Sequence, residues 1–117
     1  MAHARNSLAP ESFTLAPIGA TEQVLEKAAW TASDVDLWEI NEAFAMVTML
    51  TTRALNLDPA CVNVHGGACA QGHPVGSTGS RIIVTLIHAL EHYGKKRGVA
   101  ALCIGGGEAT AMAIELI

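Results

Sequence analysis

An α/β layered fold, with a mixed, largely parallel sheet, helices on both faces and a C-terminal β-hairpin, is predicted by three observations. Helix-like and strand-like patterns alternate along the chain, which is the order that builds layered α/β domains. The strand-like runs are short, continuous and apolar, as expected of strands covered on both faces. Half of the 117 residues are hydrophobic and only 4% are aromatic, so the core is built from Ala, Val, Ile and Leu. A chain of this length fits one domain over residues 1–117.

The elements follow in order. Pro17 suits the first turn of a helix, and Ile18, Val24, Leu25, Ala28 and Ala29 give that helix one apolar side. Ser33 and Asp34 form a turn before the strand Val35–Ile40. A helix is expected over Glu42–Leu55, stopped by the sequence NLDP, with Glu42 placed in its first turn where the helix dipole favours an acid. Cys61–Val64 reads as a second short strand. A glycine-rich loop follows, and from Ser80 to Tyr93 apolar positions 82, 83, 86, 87 and 90 mark one face of a helix that Gly94 ends. Ser77 or Thr78 suits its N-cap. Gly98–Ile104 is a third buried strand. The sequence GGGEA turns the chain and residues 110–117 return as a partner strand. Three glycines and Glu108 at the centre of this apolar end suit a hairpin better than a membrane span.

Three polar residues fall at equivalent places in this scheme. Asn41 closes the strand before it, His73 lies in the loop after Cys61–Val64, and Cys103 lies at the end of the third strand. Ligands of open α/β sheets bind outside the carboxyl ends of the strands, so parallel strands would aim all three at one edge. His73 is followed by Pro74 and flanked by Gly72 and Gly76. Those glycines let backbone come close to a ligand, although a loop histidine among turn glycines is the plain alternative. Cys103 precedes three glycines whose N–H groups could form an oxyanion hole, although a buried cysteine is commonly just a small apolar residue. Asn41 could instead cap a helix.

Other classes are disfavoured. Seven Lys and Arg against eleven Asp and Glu give a net charge of −4 with no basic block, which argues against nucleic acid. GHPVGSTG lacks the Gly-Lys-Ser/Thr ending of a nucleotide phosphate loop. Cys61, His65, Cys69 and His73 recur every four residues, but glycines and a proline prevent a helix there and no Cys-x-x-Cys pair is present. No metal site is expected, and Cys61 and Cys69 read as structural thiols. Three cysteines, an odd number, without an apolar leader at the N-terminus suggest reduced thiols in the cytoplasm.

With NEAFA at 41–45, VNVHGGACAQGHPVGSTGSR at 62–81 and LCIGGG at 102–107 in this order, the sequence resembles the C-terminal domain of a thiolase of the acetyl-CoA acetyltransferase type. The likeness covers almost the whole chain, including LAPIGATEQVLEKAAW at 15–30. It implies a thiolase-like layered domain acting on acyl-CoA in Claisen condensation or thiolysis, with coenzyme A thioesters as substrates and no resident cofactor. By this resemblance, a cysteine of the family's N-terminal half would be acylated and His73 would activate it. Cys103 would take a proton from the methyl of a second acetyl-CoA. Asn41 would hold a water that, with the His73 ring, stabilises the enolate, and the N–H of Gly105 would serve the other oxyanion hole. Ala43 and Phe44 would line the pantetheine tunnel.

The related ketoacyl synthases carry histidine where Cys103 stands, the fatty-acid β-oxidation subunit typically has His where Asn41 stands, and the sterol-carrier type has a different motif there, so the short-chain, cytosolic branch fits best. Two departures from the family pattern stand out: Glu108 and Ala109 follow the three glycines, and His65 stands where the family often has Asn. Without the nucleophilic cysteine the chain is expected to be inactive alone. It is expected to need an N-terminal half as partner, or to self-associate. The alternative is a non-catalytic domain that docks on a separate partner chain.

Overall fold

The computed structural model describes residues 1–117. Its elements run β1 (Ala2–Ser7), α1 (Ala16–Ala28), β2 (Leu37–Ile40), α2 (Ala45–Ala54), a one-turn α3 (Ala68–Gln71), α4 (Thr78–His92), β3 (Arg97–Ile104) and β4 (Glu108–Glu115), with 3-10 turns at Pro10–Ser12, Ala32–Asp34 and Pro59–Cys61. The four strands form one sheet in the order β1-β4-β3-β2. β2 and β3 are parallel, whereas β3–β4 and β1–β4 are antiparallel. The sheet is mixed as expected, but parallel pairing is a smaller share of it than the reading of the sequence gives. The reason is that β3 turns straight back into β4, and β4 then pairs antiparallel with β1.

Side-chain alternation along the strands explains the two layers of helices. Trp38 and Ile40 of β2, Val99, Ala101 and Cys103 of β3 and Ala109, Ala111 and Ala113 of β4 share one face and one core with α1 and Val47 of α2. Leu37, Ala100 and Ile114 point to the other face and pack on Ile82, Leu86, Ala89 and Leu90 of α4. Leu86 and Leu90 are fully buried, each contributing about 2 kcal/mol of apolar burial. The first layer is rich in alanine, which lets α1 sit close on β4.

Two local devices set the geometry of the sheet. α1 ends at Ala29 in the left-handed conformation (φ 55°), with Trp30 N bonded back to Leu25 O. Asp36 Oδ2 accepts hydrogen bonds from the N–H groups of Lys96 and Arg97, which pins the start of β3 beside the start of β2.

Three expectations change. Cys61–Val64 is not a strand: it begins in a 3-10 turn and reaches the sheet through one parallel bridge, Trp38–Val62. Asn63 stands at φ 49°, which breaks the extended backbone. α2 begins at Ala45, so Glu42 lies in the turn before it and not in a helical first turn. Ser77 occupies the N-cap of α4, but its hydroxyl bonds back to Pro74 O and caps nothing. The hairpin forms as expected, with Gly106 and Gly107 at φ 101° and 95°. Glu108 is exposed at its first paired position, where the charge stays in water. No helix is long and apolar enough to cross a membrane.

Candidate active site

Because β2 and β3 run parallel, their carboxyl ends meet at one edge. Asn41 follows Ile40 there and donates its backbone N–H to Ala101 O at 2.9 Å. Cys103 lies near the end of β3, and the segment after the Trp38–Val62 bridge leads into the loop that carries His73. A cavity of about 400 Å³ opens at this edge, lined by His73, Cys103, Gly105, Ala43, Phe13 and Thr78 among others. Four of the six residues singled out in the sequence therefore share one cavity. Asn41 is buried and is not among its lining residues. Phe44 is also outside the lining: it is exposed and meets the wall through an edge-on contact with Phe13, ring centroids 6.0 Å apart.

His73 is exposed, but its ring is held. Nδ1 lies 2.6 Å from Thr78 Oγ1, and that hydroxyl also lies 3.1 Å from Pro74 O, to which it donates. With its one proton committed to the carbonyl, the hydroxyl accepts from Nδ1–H. This network assigns the neutral ring the Nδ1–H tautomer and leaves Nε2 with a free lone pair. Thr78, 1% exposed, is the first residue of α4, so the start of the helix fixes the imidazole. Gly72, at φ 92°, makes the sharp bend into this loop.

Cys103 is 7% exposed, and burial pushes its thiol pKa up. It is therefore a neutral thiol at rest and a strong base once deprotonated. Beside it, Gly105 has open space on its side-chain side, so a ligand can approach the backbone. Cys61 is half-buried and Cys69 is exposed, so only the first packs on the core; Cys69 is not the structural thiol expected of it. The Cys69 thiol is pushed up by its hydrogen bond to Glu42.

Several residues that reading the sequence missed build this edge. Asn63 acts as a substitute strand: its Oδ1 accepts from Ile40 N, its Nδ2 donates to Ile40 O and to Glu42 Oε1, and its own N donates to Trp38 O. Glu42 also accepts from Cys69 N, tying the turn after β2 to the glycine-rich loop. These hydrogen bonds outweigh the desolvation that opposes them and hold its pKa below the usual carboxylate range. At Gly67 a Cβ would strike the Glu42 carboxyl group, so a side chain there would push the carboxylate off its hydrogen bonds to Asn63 and Cys69. Glu39, in the middle of β2, is 2% exposed, and burial raises its pKa to about 7 against the pull of Arg81. An acid inside the apolar run LWEI and a basic residue at the start of an apolar helix were the signals that could have found Glu39 and Arg81.

This arrangement defines a class: a layered α/β domain with a thiol and an imidazole at the carboxyl edge of its parallel strands. The chain belongs to the thiolase family, whose C-terminal domain matches residues 1–116. It is 53% identical over 106 residues to the cytosolic acetyl-CoA acetyltransferase of Mus musculus, covering 91% of this chain and 27% of that protein. It is 43% identical over 113 residues to the acetyl-CoA acetyltransferase of Cupriavidus necator, covering 97% of this chain and 29% of that protein. Among solved structures, a thiolase from Ascaris suum in complex with coenzyme A superposes with a TM-score of 0.94 at 45% identity, covering 100% of this chain and 30% of that one. The acetyl-CoA acetyltransferase of Bacillus anthracis gives 0.96 at 41% identity, covering 99% and 29%. The chain thus spans a little over a quarter of the length of the curated relatives it matches.

Proposed function

We propose that this domain supplies the proton-transfer half of an acetyl-CoA C-acetyltransferase acting on acetoacetyl-CoA or another short 3-ketoacyl-CoA. The observation that carries this reading is the convergence of His73, Cys103 and the Gly105 backbone on one cavity. The nucleophile is a cysteine from an N-terminal half, acylated by a first acyl-CoA. His73, with Nε2 free, accepts the proton of that thiol. As the first acyl-CoA acylates the nucleophile, the neutral Cys103 thiol gives its proton to the departing CoA thiolate. In condensation the resulting Cys103 thiolate removes a proton from the methyl of a second acetyl-CoA, and its raised pKa suits so weak a carbon acid. In thiolysis the neutral Cys103 thiol returns that proton to the departing enolate. The developing oxyanions are met by N–H donors at Gly105 and by Asn41 together with the His73 ring. Ala43 and Phe44 flank the pantetheine arm. The reaction uses no resident cofactor, and by analogy with the cytosolic mouse relative it runs in the cytoplasm as part of lipid metabolism.

The test is complementation. The chain alone is expected to show no thiolysis of acetoacetyl-CoA, and mixing it with the N-terminal half of an acetyl-CoA acetyltransferase is expected to restore it. Thiolysis by the chain alone, or restored activity that survives Cys103→Ala, would overturn the reading. A second reading, a non-catalytic docking domain, is favoured by the exposed apolar side chains of Phe44, Met46 and Met49. It predicts a complex with the N-terminal half, or a self-associated form, and no thiolysis in the mixture.

A further inference from the structure

Asn41 is 1% exposed, and its two side-chain ends are treated very differently. Its Oδ1 accepts from Arg81 Nη2 at 3.3 Å, whereas its Nδ2 is buried with no hydrogen-bond partner in the chain. A buried, unpaired donor is costly, and an amide can usually avoid that cost by turning over. Here it cannot. A guanidinium carries only donors, so a turned amide would set its NH₂ against Arg81 Nη2, break the hydrogen bond to it and leave both ends of the amide unpaired.

Arg81 is itself placed against ordinary preference. It lies in the first turns of α4, where the helix dipole disfavours a cation, and its side chain is only 19% exposed. Facing it is Glu39, whose Oε2 lies 3.6 Å from Arg81 Nη1 and offers a counter-charge once its carboxyl is ionised. The alternation of β2 explains the meeting: Leu37 packs on α4, so Glu39 and Asn41, two and four residues further, project toward the same side. Three residues before Arg81, Thr78 holds the ring of His73. One stretch of α4 thus orients both polar groups of the site.

We propose that Arg81, anchored on Glu39, is a positioning residue that fixes the Asn41 carboxamide with Oδ1 inward, so that Nδ2–H is the end kept free to donate to the reacting thioester or a water on it. This rests on the role given to Asn41 above, but its geometric part stands without that role. An amide whose orientation is imposed pays no reorganisation when the oxyanion forms, which is what a preorganised donor contributes.

Two measurements test it. In the full chain, the Asn41 side-chain NH₂ is followed by NMR hydrogen exchange, assigned by its loss in Asn41→Asp. Arg81→Met is expected to speed that exchange by about 10-fold or more, while circular dichroism and the backbone spectrum stay as in the wild type. Arg81→Lys, which keeps a charged donor, should fall between the two, and it decides the matter if the Met variant fails to fold. Unchanged exchange in a folded Arg81 variant would overturn the proposal.

In the complemented enzyme, Arg81→Met should lower kcat by about 10–100-fold with KM little altered. In an Asn41→Ala background it should cost nothing further. Additive losses would mean that Arg81 acts through something other than Asn41, which also overturns the proposal. If complementation yields no activity even for the wild type, the thiolase reading has failed, and the exchange experiment alone still decides the orientation of the amide.

Discussion

The two halves of the sheet are made by different rules. On the antiparallel side, β1, β4 and the inner face of β3 are lined with alanines at 4, 101, 109, 111 and 113, all buried and packed under α1. No charged side chain is buried there. On the parallel side, at the carboxyl ends of β2 and β3, the buried residues include Glu39, Asn41, Cys103 and Thr78. The buried side-chain atoms without a hydrogen-bond partner are Glu39 Oε1, Asn41 Nδ2 and Nε and Nη1 of Arg81 on this side, against the Thr21 hydroxyl alone on the α1 side. One half is closed to everything but a close-packed helix. The other keeps polar capacity that its own fold does not use, as functional sites commonly do.

The sharpest way to separate the halves is Cys103→Ala. In the complemented enzyme it should lower thiolysis by about 10³-fold, as expected for loss of a general base, while a denaturant melt of the chain shifts by about 1 kcal/mol or less. A comparable loss of stability would place Cys103 with the structural half.

The next largest effect is one of pH. Glu39 has a folded pKa raised to about 7, above its unfolded value, mainly by burial. Its neutral form is the one the fold favours, so this contribution is fully present below about pH 4.5 and is lost as pH rises through about 7. The wild type should lose up to about 3 kcal/mol over that window from this group, and Glu39→Gln should flatten the curve. Asp36 and Glu42 act in the opposite sense. Their pKa values are lowered, so their stabilisation is present above about pH 4 and fades only below it. Urea titrations between pH 4 and 8 would show the separation, and an identical slope in Glu39→Gln would refute it.

On the closed side, Ala113→Leu should cost about 2 kcal/mol by overpacking against α1, with the activity per folded molecule unchanged. A tolerated leucine would mean that the alanine layer is looser than its complete burial indicates. The smallest effect expected is that of Thr78→Val. Releasing the His73 Nδ1 contact should lower activity by about 10-fold through a wrongly set tautomer and move the pH–rate profile more than KM.

Much of this was legible in the sequence, and the boundary is a physical one. The helix over 78–92 announced itself through apolar residues at 82, 86 and 90, and the strand order put Asn41 and Cys103 at one edge. His73 was legible because glycines crowd around it. What could not be read was pairing between residues distant in sequence. Asn63 looked like one more residue of a strand, yet its side chain does the pairing while its backbone turns away. Glu42 had a local explanation in the helix dipole, and the true one lies at Cys69, 27 residues on. β4 was expected only as the returning arm of a hairpin, and its second neighbour, β1, comes from the far end of the chain.

The substitute strand formed by Asn63 also bears on how this domain avoids self-templating. An exposed strand edge is an invitation for another chain to add itself to the sheet. On β2 that invitation is withdrawn, because Trp38 O, Ile40 N and Ile40 O are all occupied by Asn63. Growth of the sheet is left to β1 alone, and there Lys27 Nζ donates to His3 O at 3.2 Å. Removing the Asn63 carboxamide would therefore reopen a second edge, and the first sign would be fibrils in a solution of folded protein.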